Sequence, residues 1–409
     1  MQYLCYNPSM IYKFSAKNFY SFKETVETSF EVNANAPHTD IYVKDLHGNR
    51  VSKVLSVIGA NASGKTNLLK ILTFTQFLIR DSYNDLKPDE KFPFASYKFT
   101  PDENVLTELS VRFNCDDMVF DYFIKLNRQQ ILEERLRKLN NHTKQFGVLY
   151  KRTWSIKEDK YHYSLRNFNF SEKLTTKRTN ATLLAIAGQA EHTLSKKIIN
   201  CWDKFIANVD QIGREDYSGS IFEAAGFYEK NTEIHNKADS LLKKFDLGLS
   251  GTKSTKYTHK SKSGKEEEMY LPYGIHSVKD KNYDLPLLYE SRGTQNLFIL
   301  LHKILPILKS GGIAVFDEFD ADLHPLMLPE LVDMFASKTS NPKNAQLIFS
   351  THHLEILNRL DKYQIVLVEK NAEKHATEVF RLDEIRGVRA DDNYYSKYIA
   401  GAYGAIPEI

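Results

Sequence analysis

The chain has 409 residues, enough for one large domain with an insertion or for two or three ordinary domains. Its 55 Lys and Arg residues nearly balance its 52 Asp and Glu residues, and a formal charge of +3 excludes an electrostatic footprint on nucleic acid over the whole surface. Any nucleic acid contact must therefore be local.

The first residues lack a basic start followed by an apolar stretch, and no run of about 18 apolar residues occurs anywhere. We therefore expect a soluble, cytoplasmic protein with no membrane partner. The cysteines are few, odd in number and far apart, which indicates neither a disulfide framework nor a zinc site. We expect ordinary thiols at Cys5, Cys115 and Cys201.

The first part of the chain predicts strands around a single helix. Strands are expected at 11–16, 25–32 and 54–58, and a helix follows the last of them to about residue 80. A further group predicts an antiparallel sheet, with strands at 109–113, 119–126, 147–151 and 161–165.

The second part predicts helices and then a return to α/β structure. Apolar residues recur at helical spacing from about residue 170 to about residue 250, without the heptads of a long coiled-coil arm. A polar, lysine-rich stretch at 251–268 follows. Beyond it the pattern predicts helices at 297–308 and 326–337 and strands at 313–316, 346–350 and 364–369.

A phosphate-binding loop is the strongest motif. Residues 59–66 read Gly-Ala-Asn-Ala-Ser-Gly-Lys-Thr, a complete G-x-x-x-x-G-K-[ST] pattern directly after the apolar run 54–58. Its glycines allow a tight turn whose backbone N–H groups face the phosphates, while the lysine reaches the β- and γ-phosphates and the threonine hydroxyl ligates Mg²⁺. The predicted nucleotide-binding residues are Gly59, Asn61, Gly64, Lys65, Thr66 and Asn67.

A second motif is an apolar strand that ends in two acids, Asp317 and Glu318. In such a Walker B segment Asp317 would hold Mg²⁺ and Glu318 would polarise the attacking water as a general base. Alone this pattern is only moderately specific, because acids often cap strand ends in solvent. Two polar motifs accompany it, Ser291-Arg292-Gly293-Thr294-Gln295 upstream and Ser350-Thr351-His352-His353 downstream.

The order of these motifs resembles that of the ABC-type ATPase head of the RecF/SMC class. More than half of the chain separates the phosphate loop from the Walker B acids, so a long segment must interrupt the nucleotide fold. Four segments are also similar to bacterial AAA-type ATPases grouped with the OLD and abortive-infection (AbiL, RloA) defence proteins. They are Lys17–Phe22, Asp317–Pro325, Ser350–His352 and Gly401–Pro407.

The resemblance implies an α/β fold: an ABC-ATPase-like P-loop head, made of a mixed sheet and an antiparallel β-subdomain, that is interrupted by a helical insertion. Residues 1–168 would hold the P-loop and the β-subdomain, and residues 169–270 the helical insertion and the lysine-rich loop. Residues 271–409 would hold the signature, Walker B, D-loop and switch histidine.

The resemblance also implies ATP and Mg²⁺ as cofactors and assigns roles to single residues. Thr66 and Asp317 would hold the metal, and the catalytic residues would be Lys65, Glu318 and His352, the last of these in contact with the γ-phosphate. No Q-loop glutamine is assigned, because Gln76 is expected to sit on the helix after the phosphate loop.

In this class two heads sandwich two ATP molecules, which implies a homodimer or a higher homo-oligomer. Ser291 and Gly293 would touch the γ-phosphate bound to the other subunit, and Ala321–His324 would form a D-loop across the interface. The signature departs from the full pattern, with Arg292 where Gly is usual and Glu290 where Leu is usual. His353 is expected to be a structural neighbour of the site.

The resemblance implies an ATP-hydrolysing sensor or regulator of an anti-phage defence system. It would control a separate effector, for which we expect a nuclease, since the residues after His353 are too few for a built-in Toprim nuclease domain. Two alternatives stay open: a RecF-like DNA-repair ATPase, and an ATP-binding assembly scaffold with little turnover.

Two surface features allow more than one interpretation. The lysines of 253–265 would contact phosphate backbones or belong to a solvated hairpin or loop, and the three glutamates at 266–268 favour the second. The tyrosines near the C-terminus would form an interface or dock on the chain's own core: Tyr394, Tyr395, Tyr398 and Tyr403.

Overall fold

The computed structural model describes residues 9–45, 47–99, 105–175, 178–215, 220–245, 248–260, 266–371, 373 and 375–406. The strands are β1 (Ile11–Lys17), β2 (Val26–Ser29), β3 (Glu31–Val32), β4 (Tyr42–Lys44), β5 (Arg50–Ser52), β6 (Val54–Ile58), β7 (Thr107–Cys115), β8 (Met118–Leu126), β9 (Ile131–Leu139), β10 (Phe146–Ser155), β11 (Lys160–Ser164), β12 (Phe205–Ala207), β13 (Gly251–Lys260), β14 (Glu266–Val278), β15 (Lys281–Pro286), β16 (Ile313–Phe316), β17 (Gln346–Ser350), β18 (Ile365–Asn371) and β19 (Ala376–Arg381). The helices are α1 (Lys65–Arg80), α2 (Leu183–Gln189), α3 (Thr193–Trp202), α4 (Ser220–Lys230), α5 (Thr232–Lys244), α6 (Arg292–Ser310), α7 (Met327–Ala336) and α8 (Tyr394–Ile399).

A central sheet with the order β12-β16-β17-β6-β18-β19 carries the motifs. Its strands are parallel except for β19, which pairs antiparallel with β18. Strands β6, β16 and β17 are buried at every position, as expected of strands covered on two faces. Because the carboxyl ends of parallel strands meet at one edge, the segments that follow β6, β12, β16 and β17 converge there.

The two faces of the central sheet belong to different halves of the core. Leu55, Val57 and Ile348 lie in the cluster that α1 forms with the antiparallel sheet. Val54, Ile58 and neighbouring residues lie in the cluster formed by α4 to α8. The alternation along β6 thus explains why one short apolar strand joins the two layers.

An antiparallel sheet with the order β11-β10-β9-β8-β7-β1-β2 covers α1 from the other side. Its strands alternate buried and half-buried residues, the pattern of a sheet with one face in the core. This mixed arrangement of a P-loop sheet and an antiparallel subdomain confirms the predicted α/β fold class.

The lysine-rich stretch lies in a hairpin, the alternative that the sequence favoured. Strands β13, β14 and β15 form a small antiparallel sheet against α4 and α5. Lys253 pairs with Asp284, and Lys256 pairs with Glu268. Residues 261–265 of the stretch lie outside the described residues.

Several strands were not predicted. The segment expected to be helical contains α2 to α5 but also β12, which pairs with β16 in the central sheet. Three residues are too few for a periodic signal, so β12 depends on its tertiary pairing. Strand β9 was missed because its charged residues mask its alternation, and the expected strand at 25–32 divides into β2 and β3. The division into three predicted domains stays a prediction.

The expectation of ordinary thiols was wrong for two cysteines. Cys115 and Cys201 form a disulfide, with their Cα atoms 5.9 Å apart. Cys115 ends β7 and Cys201 lies in the last turn of α3, and the packing of α3 on β7 brings together residues 86 positions apart in sequence. Cys5 lies outside the described residues.

The C-terminal tyrosines dock on the chain's own core. Tyr394, Tyr398 and Tyr403 are buried in the cluster formed by α4 to α8, and the Tyr398 hydroxyl donates to the Ala405 carbonyl at 2.7 Å.

Within the described ranges, no helix has both the length and the apolar character that a membrane crossing requires.

Candidate functional site

The loop after β6 is built around two glycines that no other residue can replace without movement. A Cβ on Gly59 would lie 2.1 Å from the Val368 carbonyl oxygen. Gly64 has φ +116°, and a Cβ there would lie 2.6 Å from Thr377 Oγ1. The neighbouring strands therefore compress the loop from outside, and its backbone follows the tight path of a phosphate cradle that ends at the N-terminus of α1.

Lys65 closes the loop on itself. Its side chain is buried, and Nζ donates to the carbonyl oxygens of Gly59 and Ala60 at 2.9 and 3.0 Å. Burial lowers the pKa of Lys65, although the carboxylates of Asp317 and Glu318 act in the opposite direction. The ammonium group thus lies above the cradle among groups that a phosphate can displace.

Thr66 and Asp317 meet at the edge of the central sheet. The Thr66 hydroxyl donates to Asp317 Oδ2 at 2.7 Å, and Asp317 is almost fully buried. The other carboxylate oxygen, Oδ1, accepts from the Ser350 hydroxyl at the end of β17. The Asn208 side chain bonds the backbone of Asp317 twice, accepting from its N–H at 2.7 Å and donating to its carbonyl at 2.9 Å.

Glu318 follows directly in an unusual backbone conformation. Its φ is +47°, and its N–H donates to Ser350 Oγ at 2.8 Å. One carboxylate oxygen, Oε2, pairs with Arg214 Nη1 at 2.7 Å, and the other, Oε1, lies 4.0 Å from His352 Nε2. Left-handed backbone conformations of non-glycine residues concentrate at functional sites, and the Glu318 side chain is partly exposed here.

The segments predicted to be the signature and the D-loop contact each other. Ser291 is the N-cap of α6, and its hydroxyl accepts from the Thr294 N–H at 3.2 Å. A Cβ on Gly293 would lie 2.7 Å from the Asp322 carbonyl oxygen. Asn296 Nδ2 donates to Asp322 Oδ2 at 3.0 Å. These contacts join Gly293 and Asn296 to the predicted D-loop within one chain, while Ser291 bonds within α6.

The remaining predicted residues have separate places. Asn61 is exposed at the tip of the loop, and Asn67 Nδ2 donates to Ser21 Oγ at 3.0 Å. Gln76 lies on α1, as expected, and donates to the Trp202 carbonyl. His353 Nε2 lies 3.7 Å from Glu355, and its part as a structural neighbour of the site stays a prediction.

Sequence reasoning missed Asn208 and Arg214. Both lie in the loop after β12, within the segment that was expected to be helical. Their contacts with Asp317 and Glu318 depend on the parallel pairing of β12 with β16, which leaves no local pattern. The Phe-Ile-Ala run of β12, followed by a turn-forming Asp and Gly, is the one signal that a search for a neighbouring strand could have used.

The side chains fit Mg²⁺ and a triphosphate. A hydroxyl and a carboxylate oxygen converge within 2.7 Å, and oxygen ligands of this kind are those that Mg²⁺ prefers beside substrate phosphates. Beside them lie a compressed glycine loop, a helix N-terminus and a buried lysine, which together suit an anionic ligand.

Comparison with known proteins gives a family. A family model described as "AAA domain, putative AbiEii toxin, Type IV TA system" matches residues 54–358, from the phosphate-loop strand to beyond His352. The chain belongs to this AAA-domain family. The match confirms the predicted relation to AAA-type ATPases of the abortive-infection kind.

This AAA-domain chain was also compared with curated proteins and with solved structures. No curated protein matches it. A crystal structure of the SmcHead bound to the C-winged helix domain of ScpA is similar, with a TM-score of 0.45 and 15% sequence identity, over 91% of this chain and 97% of that one.

Proposed function

We propose that this AAA-domain chain binds and hydrolyses ATP as the sensor or regulator of an anti-phage defence system. The observation that carries the ATPase part is the 2.7 Å contact between Thr66 and Asp317, which joins the phosphate loop to the Walker B strand. Neither motif could form a magnesium site alone. They meet beside Gly59, Gly64 and Lys65, so that two distant segments of the chain form one site.

Each residue has a role that its position supports. Thr66 and Asp317 hold Mg²⁺, which supplies charge neutralisation for the β- and γ-phosphate oxygens. Lys65 exchanges its two carbonyl partners for phosphate oxygens, and the N–H groups from Gly59 to Thr66 line the cradle. Asn61 and Asn67 flank the cradle at the loop tip and on α1.

Glu318 is the general base of the proposed reaction. A water oxygen attacks the γ-phosphorus, the bond to the oxygen that bridges to the β-phosphate breaks, and the Glu318 carboxylate takes a proton from the water. ADP and inorganic phosphate result. His352 lies near the carboxylate oxygen that Arg214 does not hold, and it contacts the γ-phosphate. Loss of the γ-phosphate would remove this contact at the end of β17.

The assembly part of the proposal rests on the signature. Ser291 lies at the exposed start of α6, and Gly293, two residues further on, lies against Asp322 of the proposed D-loop. Helix N-termini suit anions, so this surface would receive the γ-phosphate of a second copy. ATP would hold two chains together, and hydrolysis would release them.

The defence role is supported by the family, whose description names a putative toxin and a toxin–antitoxin system. We infer that nucleotide state in this chain holds or releases a separate effector, for which a nuclease is our candidate. A RecF-like repair ATPase is the other candidate, favoured by the shared motif order. Binding of DNA that changes with ATP and weakens with salt, in the absence of a toxic partner, would support repair instead.

Phosphate release and nucleotide affinity of the purified protein test the ATPase proposal. Glu318→Gln should keep ATP affinity, slow hydrolysis by roughly 10²- to 10⁴-fold and stabilise the assembled form. A Glu318→Gln protein that hydrolyses ATP at the wild-type rate would remove Glu318 from its role. For the defence role, cells that carry the gene and its neighbours should resist phage, and the variant should abolish that resistance.

A further inference from the structure

We propose that Arg214 is a positioning residue that fixes the Glu318 carboxylate for water activation, an inference that rests on the proposed ATPase function. Arg214 Nη1 contacts Glu318 Oε2 at 2.7 Å. The second oxygen, Oε1, is left 4.0 Å from His352 Nε2, which is too long for a hydrogen bond. One carboxylate oxygen is therefore held by a cation, and the other can accept a proton.

A carboxylate at this position needs such a partner. The Glu318 side chain is 42% exposed, so it is not packed into one rotamer by the core. Its backbone is fixed by the Ser350 contact, but the rotatable bonds beyond Cα are not fixed by that contact. The contact from Arg214 Nη1 holds Oε2 and so restricts the orientation of the carboxylate.

Arg214 is itself presented by a loop with many hydrogen bonds. Asp210 Oδ1 accepts from the N–H groups of Ile212 and Gly213 at 2.7 and 2.9 Å. The Asp210 N–H donates to the Gly213 carbonyl at 2.9 Å, and Val209 forms an antiparallel bridge with Arg214. This tight turn fixes the place from which the arginine side chain extends.

The same loop is tied to both halves of the site. On the Walker B side, Asn208 bonds the backbone of Asp317. On the phosphate-loop side, Lys70 of α1 donates to the Ile212 carbonyl at 3.2 Å, and the Tyr20 hydroxyl donates to the Gln211 carbonyl at 2.7 Å. The position of Arg214 therefore follows the two elements that hold the metal and the phosphates.

The Arg214–Glu318 pair is a poor candidate for a purely structural contact. The two side chains are 39% and 42% exposed, and ion pairs at that exposure contribute little to folding stability. The loop would keep its turn and its backbone bonds without the guanidinium group. The contact instead holds Oε2 of Glu318, the carboxylate that activates water in the proposed reaction.

The test compares Arg214→Ala with Arg389→Ala. The control removes another exposed arginine that pairs with an acid, Asp391. We expect Arg214→Ala to lower kcat about 10- to 100-fold, because the base is misplaced, while KM for ATP and the melting temperature stay at wild-type values. Millimolar guanidinium should restore part of kcat in Arg214→Ala, and Arg389→Ala should behave as wild type.

A second arm places Arg214→Ala in the Glu318→Gln background. If the arginine acts through Glu318, the double variant should be no slower than Glu318→Gln alone. An unchanged or raised kcat in Arg214→Ala, or a full additional loss in the double variant, would overturn the inference while leaving the ATPase proposal intact. A wild-type protein without ATPase activity would overturn both. If Arg214→Ala folds poorly, Arg214→Gln replaces it, and a wild-type kcat in that variant counts against the inference.

Discussion

The Thr66 hydroxyl and the Asp317 carboxylate are 251 residues apart in sequence and 2.7 Å apart in the structure. The contact joins the start of α1 to the end of β16, and each partner is held by its own element. Two motifs that are separate in sequence thereby meet at one polar site.

Asp317→Asn should raise the Mg²⁺ concentration that half-saturates ATPase activity by about 10- to 100-fold, because an amide replaces a charged oxygen ligand. A Mg²⁺ titration of phosphate release measures this. Asp284→Asn is the matched control, since that acid pairs with Lys253 in the small sheet. Equal Mg²⁺ dependence of wild type and Asp317→Asn would contradict the assignment.

Lys65→Ala should weaken ATP binding roughly 100-fold or more, because each charge-assisted bond to phosphate is lost without replacement. Equilibrium binding of a fluorescent ATP analogue measures the affinity. Lys13→Ala, which breaks the ion pair between Lys13 of β1 and Glu27 of β2, should leave the ATP affinity unchanged. Retained affinity in Lys65→Ala would place the nucleotide elsewhere.

Gly59→Ala should destabilise the protein by about 2 kcal/mol or more, because the added Cβ would overlap the Val368 carbonyl 2.1 Å away. Denaturant unfolding gives the free energy. Gly147→Ala is the control, because a Cβ there meets nothing within 4 Å. If Gly59→Ala were as stable as the control variant, the compressed form of the loop would be wrong.

Ser291→Asp should abolish ATPase activity because it disrupts a site that two chains share in the assembled form. Aspartate caps a helix as well as serine, so α6 should stay intact, while the new charge repels a phosphate presented by a second copy. Mixed with Lys65→Ala, it should restore about a quarter of wild-type activity, since half of random dimers carry one complete site of two. No recovery from two folded, inactive variants would exclude the shared site, and Ser291→Asn should remain active.

Lys53 gives a pH dependence of stability. It is fully buried, its Nζ donates to the Ala336 carbonyl, and burial lowers its pKa from 10.5 to about 8. Between these values the unfolded chain binds a proton that the folded chain does not, so stability rises with pH in that window. The free energy of unfolding of wild type relative to Lys53→Met should rise by up to ~3 kcal/mol from pH 8 to pH 10.5. A flat difference would contradict a neutral buried lysine.

The sequence predicted the parts of the site that are contiguous. The phosphate loop and the acids after β16 are runs of a few residues whose spacing carries their chemistry, and the apolar runs before them predicted their strands. Their convergence was implied by the resemblance of the motif order to that of the ABC-type ATPase head.

The parts that were not predicted depend on packing. Asn208 and Arg214 reach Asp317 and Glu318 only because a three-residue strand joins the central sheet. The Cys115–Cys201 bond similarly depends on α3 lying against β7. Neither relation leaves a repeat or a spacing in the sequence, so physical reasoning on local patterns could not find it.

The most direct test of the account is an anomalous diffraction map of crystals grown with Mn²⁺ and a non-hydrolysable ATP analogue. The account predicts one strong peak about 2.2 Å from Thr66 Oγ1, with Asp317 bound to the ion directly or through one water, and the triphosphate along residues 59–66. A nucleotide bound elsewhere, or an ion that contacts neither side chain, would contradict it.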